Sequence, residues 1–147
     1  MANFFENYYK HVEERKAEGI PPLALTKDQT VEVCALLENI PAGKGEELLE
    51  LITNRINPGV DPAAQVKADF LLKIVHGDVT CDLIDKKHAV KLLGTMLGGY
   101  NLAGLIDIMK GSDQELAQLS ADALKMMVLS VNVFEEVNEL AASNKFA

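Results

Sequence analysis

The chain has 147 residues, enough for one domain whose folding removes roughly two-thirds of the unfolded surface from water. It is 48% apolar but only 5% aromatic, with no tryptophan, so Leu, Ala, Val, Ile and Met must build the interior, and that mixture favours helices over sheets. The formal charge of −8, with no run of Lys and Arg, disfavours direct binding of nucleic acid by this chain.

The first expected helix runs from Asn3 to Glu18, presents Phe5, Tyr8, Tyr9 and Val12, and ends at Gly19. Pro21-Pro22 then forces extended backbone. Thr26-Lys27-Asp28-Gln29 reads as a capping box, opening a helix that carries Val33, Cys34, Leu36, Leu37 and Ile40 and stops before Pro41. After the turn Ala42-Gly43-Lys44-Gly45, Leu48, Leu49, Leu51, Ile52 and Ile56 cover one face of a third helix. Asn57-Pro58-Gly59 breaks the chain, and Asp61-Pro62 restarts it as an N-cap followed by proline at the first helical position. Ala63, Val66, Phe70 and Ile74 then form a stripe at spacings of three and four.

His76-Gly77-Asp78 ends that helix, and Asp85 is placed to cap the next, which holds Ala89, Leu92, Leu93 and Met96. Gly98-Gly99 makes a rigid corner, with Asn101 expected to cap the helix of Leu102, Leu105, Ile106 and Met109. Past Gly111, Ser112-Asp113-Gln114-Glu115 reads as a second capping box, for a helix with Leu116, Leu119, Ala123 and Met127. A last helix is expected from near Asn132 to Ala142. The pattern predicts about eight helices of about 10 to 17 residues and no strand. Short corners imply antiparallel neighbours, so the fold class is all-α. The expected architecture is an irregular HEAT-like α-solenoid forming a single domain over 1–147, although no repeat period near ~40 residues stands out.

The reactive side chains do not form a recognisable site. Cys34 lies on an apolar helix face, the setting of an inert buried thiol. Cys81 falls near His76, Asp78, Asp82, Asp85 and His88, a set that would make a small metal-dependent enzyme if it converged. Its spacing matches no common zinc pattern, and loop residues and helix caps account for it better. His11 sits among Glu6, Glu13 and Glu14 and reads as a surface residue. Glu46-Glu47 and Glu135-Glu136 are sequence neighbours, so each pair splays around its helix. Neither Gly43-x-Gly45 nor Gly94 to Gly99 has the strand and lysine of a phosphate loop. Met109, Met126 and Met127 read as core filling before they read as a binding groove. No catalytic, cofactor-binding or metal-ligating residue is assigned. Two cysteines are too few for a disulfide framework, Met1 to Lys16 lacks the character of a signal peptide, and no apolar run is long enough to span a bilayer. A cytoplasmic protein without membrane contact is expected.

Several ordered blocks carry a family resemblance. They are Tyr9-Lys10-His11-Val12-Glu13-Glu14-Arg15 with Glu18-Gly19-Ile20, Leu51-Ile52-Thr53-Asn54-Arg55, Pro58-Gly59-Val60-Asp61 and Val66-Lys67-Ala68. Leu92-Leu93-Gly94-Thr95-Met96, Gly98-Gly99-Tyr100-Asn101 and Leu105-Ile106-Asp107 complete the set. In this order they resemble the amino-terminal HEAT-like domain of the bacterial aconitase B family (aconitate hydratase 2 / 2-methylisocitrate dehydratase). The resemblance implies a non-catalytic interaction and assembly domain of a longer lyase. That parent enzyme interconverts citrate and isocitrate through cis-aconitate in the tricarboxylic acid cycle. It also implies that the 4Fe–4S cluster, its three cysteine ligands and the substrate-binding residues lie in other domains; Cys34 and Cys81 match none of the ligands. The implied partners are the remaining aconitase domains, another protein, or a second copy in a homodimer. The chain ends at Ala147 where the enzyme continues, which fits an excised domain or a free-standing helical-repeat adaptor without aconitase activity.

Overall fold

Side-chain caps open five of the helices, because the first N–H groups of a helix have no partner within it. Asn3 and Thr26 each accept from the third helical residue while Glu6 and Gln29 reach back, so both are reciprocal capping boxes. Asp61, Asp85 and Asp113 do the same work with a carboxylate, which also suits the positive helix start. In the computed structural model, which describes residues 3–127 and 131–147, these caps introduce α1 (Phe4–Ala17), α2 (Lys27–Glu38), α4 (Pro62–His76), α5 (Lys86–Gly94) and α7 (Gln114–Lys125). The remaining helices are α3 (Gly45–Asn54), α6 (Leu102–Lys110) and α8 (Phe134–Leu140), the last preceded by a single 3₁₀ turn, Val131–Val133. The fold is all-α, with eight α-helices and no strand among the described residues. Residues 1–2 and 128–130, which the single-domain expectation includes, lie outside the described residues.

The helices pack as hairpins and across alternate positions. α2 meets α3, α4 meets α5 and α6 meets α7, while α2 also packs on α4 and α5 on α7. Two glycines permit close crossings: a Cβ on Gly104 would overlap the Leu72 side chain of α4, and one on Gly94 would lie 2.9 Å from the Ala123 Cβ of α7. Each successive pair thus leans on the previous one. Val33, Leu37, Leu48, Ile52, Leu71, Val90, Leu93 and Leu105 are fully enclosed along this stack. α1 packs on α2, burying Phe4, Phe5 and Tyr8.

Several boundaries are shorter than the apolar periodicity suggests, and the helices span 7 to 15 residues. Ile40, Ile56 and Met96 stand just beyond the ends of their helices, yet all three still pack on the core. Burial draws such residues inward from a loop as readily as from a helix, so periodicity overruns the last turn. Asp113 is the cap of α7, accepting from Glu115 N and Leu116 N at 3.0 Å each, so Ser112 is not. α7 closes at Lys125, leaving Met127 outside it and Met126 at 78% exposure, which removes Met126 from the core.

Candidate functional site

The corner after α5 is built from two glycines with different duties. Gly99 has φ of 92°, a left-handed conformation that side-chain-bearing residues avoid. Gly98 lies so close to Gly59, in the loop before α4, that a Cβ would overlap the Gly59 carbonyl. The hydroxyl of Tyr100 donates to the Val60 carbonyl at 3.1 Å and fastens the same two loops. Asn101 does not cap α6. It is completely buried, and its amide Nδ2 donates to the carbonyls of Leu93 at 2.6 Å and Met96 at 3.2 Å, closing the end of α5 instead. The expected N-cap role fails because Asn101 already has helical backbone angles, which point its side chain back toward α5. Nδ2 also approaches the Met127 sulfur at 3.6 Å, while Oδ1 has no hydrogen-bond partner among the described residues.

Beneath this corner is a cavity of about 230 Å³ lined by Thr53, Asn54, Asn57, Lys67, Thr95 and Met96, with Ile56, Pro58, Gly59 and Ala64. Lys67 is the only charged side chain in its lining among the described residues, and it is 5% exposed. Its Nζ donates to the Thr53 carbonyl at 3.4 Å, a long bond for an ammonium group. Among the described residues no carboxylate comes within 4.0 Å of it. Asp61, six residues earlier at the start of α4, is occupied by Ala63 N and by the Asn57 amide. Burial lowers the Lys67 pKa from the ordinary lysine value near 10.5.

Lys67 was legible in principle. It stands four residues after Ala63 and three before Phe70, in the buried register of α4, where the sequence pattern had placed Val66. Val66 is half-buried. A lysine at a core position is the signal; its place within an ordinary amphipathic run hid it.

Replacing Lys67 with methionine is expected to stabilise the fold at pH 7 by about 1 kcal/mol, raising Tm by about 3 °C, because it removes a desolvated charge at similar volume. The depressed native pKa means that the unfolded chain binds the extra proton, so wild-type stability increases as pH climbs through the lowered value toward 10.5. The advantage of Lys67→Met should therefore shrink in alkali. Melting curves at pH 7 and pH 10 check this, and an equal gap at both would contradict it.

The other candidate residues are dispersed. Cys34 is buried, and its thiol pKa is pushed up to about 12 by that burial and by the Glu38 carboxylate, against a smaller pull from Lys73. Alkylation of Cys34 at pH 8 should run about a thousandfold slower in the folded chain than in the unfolded one, since thiolate is the reacting form. Mass mapping of a labelling time course reads this directly. Cys81 is half-buried, His76 is exposed at the end of α4, and the backbone N–H of His88 donates to Asp85 at 2.7 Å. No three His, Cys, Asp or Glu residues among those described come together as a metal-binding group.

His11 is more than a surface residue: it is half-buried, and Nε2 accepts from Leu23 N at 3.0 Å. Arg15 and Arg55 reach the carbonyls of Pro21 and Pro22 at 2.9 Å each, so the proline segment is pinned from both sides. Glu46 is exposed, whereas Glu47 accepts from the Tyr9 hydroxyl at 2.6 Å and pairs with Lys44 at 3.3 Å, joining α1 to the start of α3. Glu136 pairs with Lys110 at 2.7 Å and Glu135 is exposed. Met109 is buried, as core filling requires. No helix among the described residues is long and apolar enough to cross a membrane.

Comparison with known proteins places these features in a family. The family model described as the aconitate B N-terminal domain matches residues 7–147. Aconitate hydratase B of Pseudomonas aeruginosa is 51% identical over 142 residues, which is 97% of this chain and 16% of that protein. The Synechocystis protein of the same name is 47% identical over 95% of the chain and 16% of its own length. The Escherichia coli protein is 48% identical over 97% and 16%. The chain spans about one-sixth of the length of these curated relatives. Its cavity, corner and helical stack therefore belong to a member of the aconitate hydratase B family, over the region that the family's N-terminal domain occupies.

Proposed function

We propose that this chain is an interaction and assembly domain, a HEAT-like helical stack that performs no bond-making by itself. The reading is supported above all by how its polar side chains are used: Asn3, Thr26, Asp61, Asp85 and Asp113 cap helices, and Tyr9, Asn101 and Ser120 tie one segment to another. Apolar side chains that a lone domain gains nothing by exposing, such as Val60 at 77% and Phe134 at 67%, suit contact with a protein surface. In this reading the partner is the remainder of an aconitase B–type enzyme in the cytoplasm. That longer enzyme performs the interconversion of citrate and isocitrate.

An iron–sulfur cluster does not fit this chain. Cluster irons are held by several cysteine thiolates; the chain has two cysteines, and among the described residues no three His, Cys, Asp or Glu residues converge. We place the cluster in the catalytic domains of the longer enzyme.

Two measurements test the proposal. Aconitate hydration by this chain, after a cluster-reconstitution treatment, should remain at background, and turnover above background would end the reading. Mass measurement in solution, with the chain alone and mixed with an aconitase B enzyme lacking this region, should show a complex; separate masses at micromolar concentration would count against assembly.

A further inference from the structure

The geometry points to a binding site for a small oxyanion, a carboxylate or phosphoryl group, in the cavity between Lys67, Thr53, Asn57 and Thr95. The inference stands apart from the assembly reading and holds whether or not a partner docks. The Lys67 ammonium carries three N–H donors, and the structure gives them one acceptor, the Thr53 carbonyl at 3.4 Å. It is 95% removed from solvent by its own exposure of 5%, and no carboxylate compensates it within 4.0 Å among the described residues. Buried charges are ordinarily paired, so a cation in this state is an incomplete pair.

The shape of the space decides what completes it. At about 230 Å³ the cavity has room for a small organic acid or inorganic oxyanion rather than a macromolecular segment. Asn54 on its exposed rim and Asn57 beside it supply amide N–H donors for an anion's oxygen, Asn57 with the N–H it does not give to Asp61, whereas the Thr95 hydroxyl already donates its proton to the Leu92 carbonyl at 2.7 Å. Coulomb attraction is stronger in such a screened setting than at the surface, and bonds to charged acceptors are the strong ones. A chain of net charge −8 has few places that attract an anion, which makes a secluded, uncompensated lysine selective. Binding would also favour the protonated form of Lys67 against the burial that lowers its pKa.

Nuclear magnetic resonance titration of the ¹⁵N-labelled chain at pH 7 tests this, using sodium malonate and sodium phosphate as probes and sodium chloride at matched ionic strength as the control. The expected result is saturable movement of the Thr53, Asn54, Asn57, Lys67 and Thr95 amides with malonate, phosphate or both, and none with chloride. Saturation by malonate alone assigns a carboxylate ligand, and by phosphate alone a phosphoryl one. Lys67→Met, which should fold at least as well, is expected to weaken binding by about a hundredfold, and Asn54→Ala, on the exposed rim, by about tenfold. Four results would overturn the site: saturation by neither probe, equal movement with chloride, undiminished binding in Lys67→Met, or an unchanged affinity in Asn54→Ala. Stabilisation by phosphate that persists in Lys67→Met would mark general exclusion of a kosmotropic salt from the surface, which also overturns it.

Discussion

Gly98→Ala is expected to destabilise the chain by about 3 kcal/mol or more, lowering Tm by about 9 °C, although it adds a single methyl group. The added Cβ would overlap the backbone carbonyl of Gly59, and neither strand of backbone has a flexible side chain to move aside. Relief requires the loop before α4 to part from the corner after α5, which would also break the bond from Tyr100 to Val60. Gly99→Ala makes an instructive control. Gly99 has the positive φ of 92°, but a Cβ there meets nothing closer than Leu102 Cδ1 at 3.9 Å. Its penalty is only the left-handed backbone, about 1 to 2 kcal/mol. Thermal melts of the two variants should rank Gly98→Ala as the more damaging. The reverse order would show that the loops do not touch as described.

The second large effect lies at Asn101. Asn101→Asp keeps the shape of the side chain and removes its N–H donors, so a carboxylate would face the Leu93 and Met96 carbonyl oxygens in a fully buried position. The expected loss at pH 7 is about 3 kcal/mol or more, combining the lost amide bonds to the Met96 carbonyl and to the Leu93 carbonyl, which keeps only its bond from Met96 N, with an unpaired buried charge. Burial raises the pKa of the introduced acid in the folded chain above its unfolded value near ~3.9. A raised native pKa adds stability that is complete below the unfolded value and lost as pH rises through the native one. The deficit should therefore narrow on acidification toward pH 5, where a protonated carboxyl donates one hydrogen bond. Denaturant titrations of wild type and variant at pH 7 and pH 5 check this. A variant as stable as wild type at pH 7 would show that Asn101 does not close α5.

These two residues show where reading along a chain succeeds and where it stops. Gly98-Gly99 and Asn101 were recognisable as a corner because helix stops and starts are chemical signals within a few residues of each other. The division of labour was not recognisable. Gly98 is required by Gly59, 39 positions earlier, and Asn101 serves the helix behind it, not the one ahead. Lys67 follows the same rule. Its register on α4 is written locally, but its burial without an acid depends on the α3 terminus and the corner after α5 closing over it.

The order of helices, the Asp61, Asp85 and Thr26 caps, the apolar stripes and the inert setting of Cys34 follow from the sequence alone. Each is decided by contacts within one or two turns of helix, where spacing fixes geometry. Only the tertiary structure decided that Gly94 and Gly104 are crossing points, that His11, Arg15 and Arg55 hold the proline segment, and that a solitary cation lines a small cavity. Those features rest on contacts between separate segments of the chain, most of them far apart in sequence, and composition and periodicity carry no information about which surfaces meet.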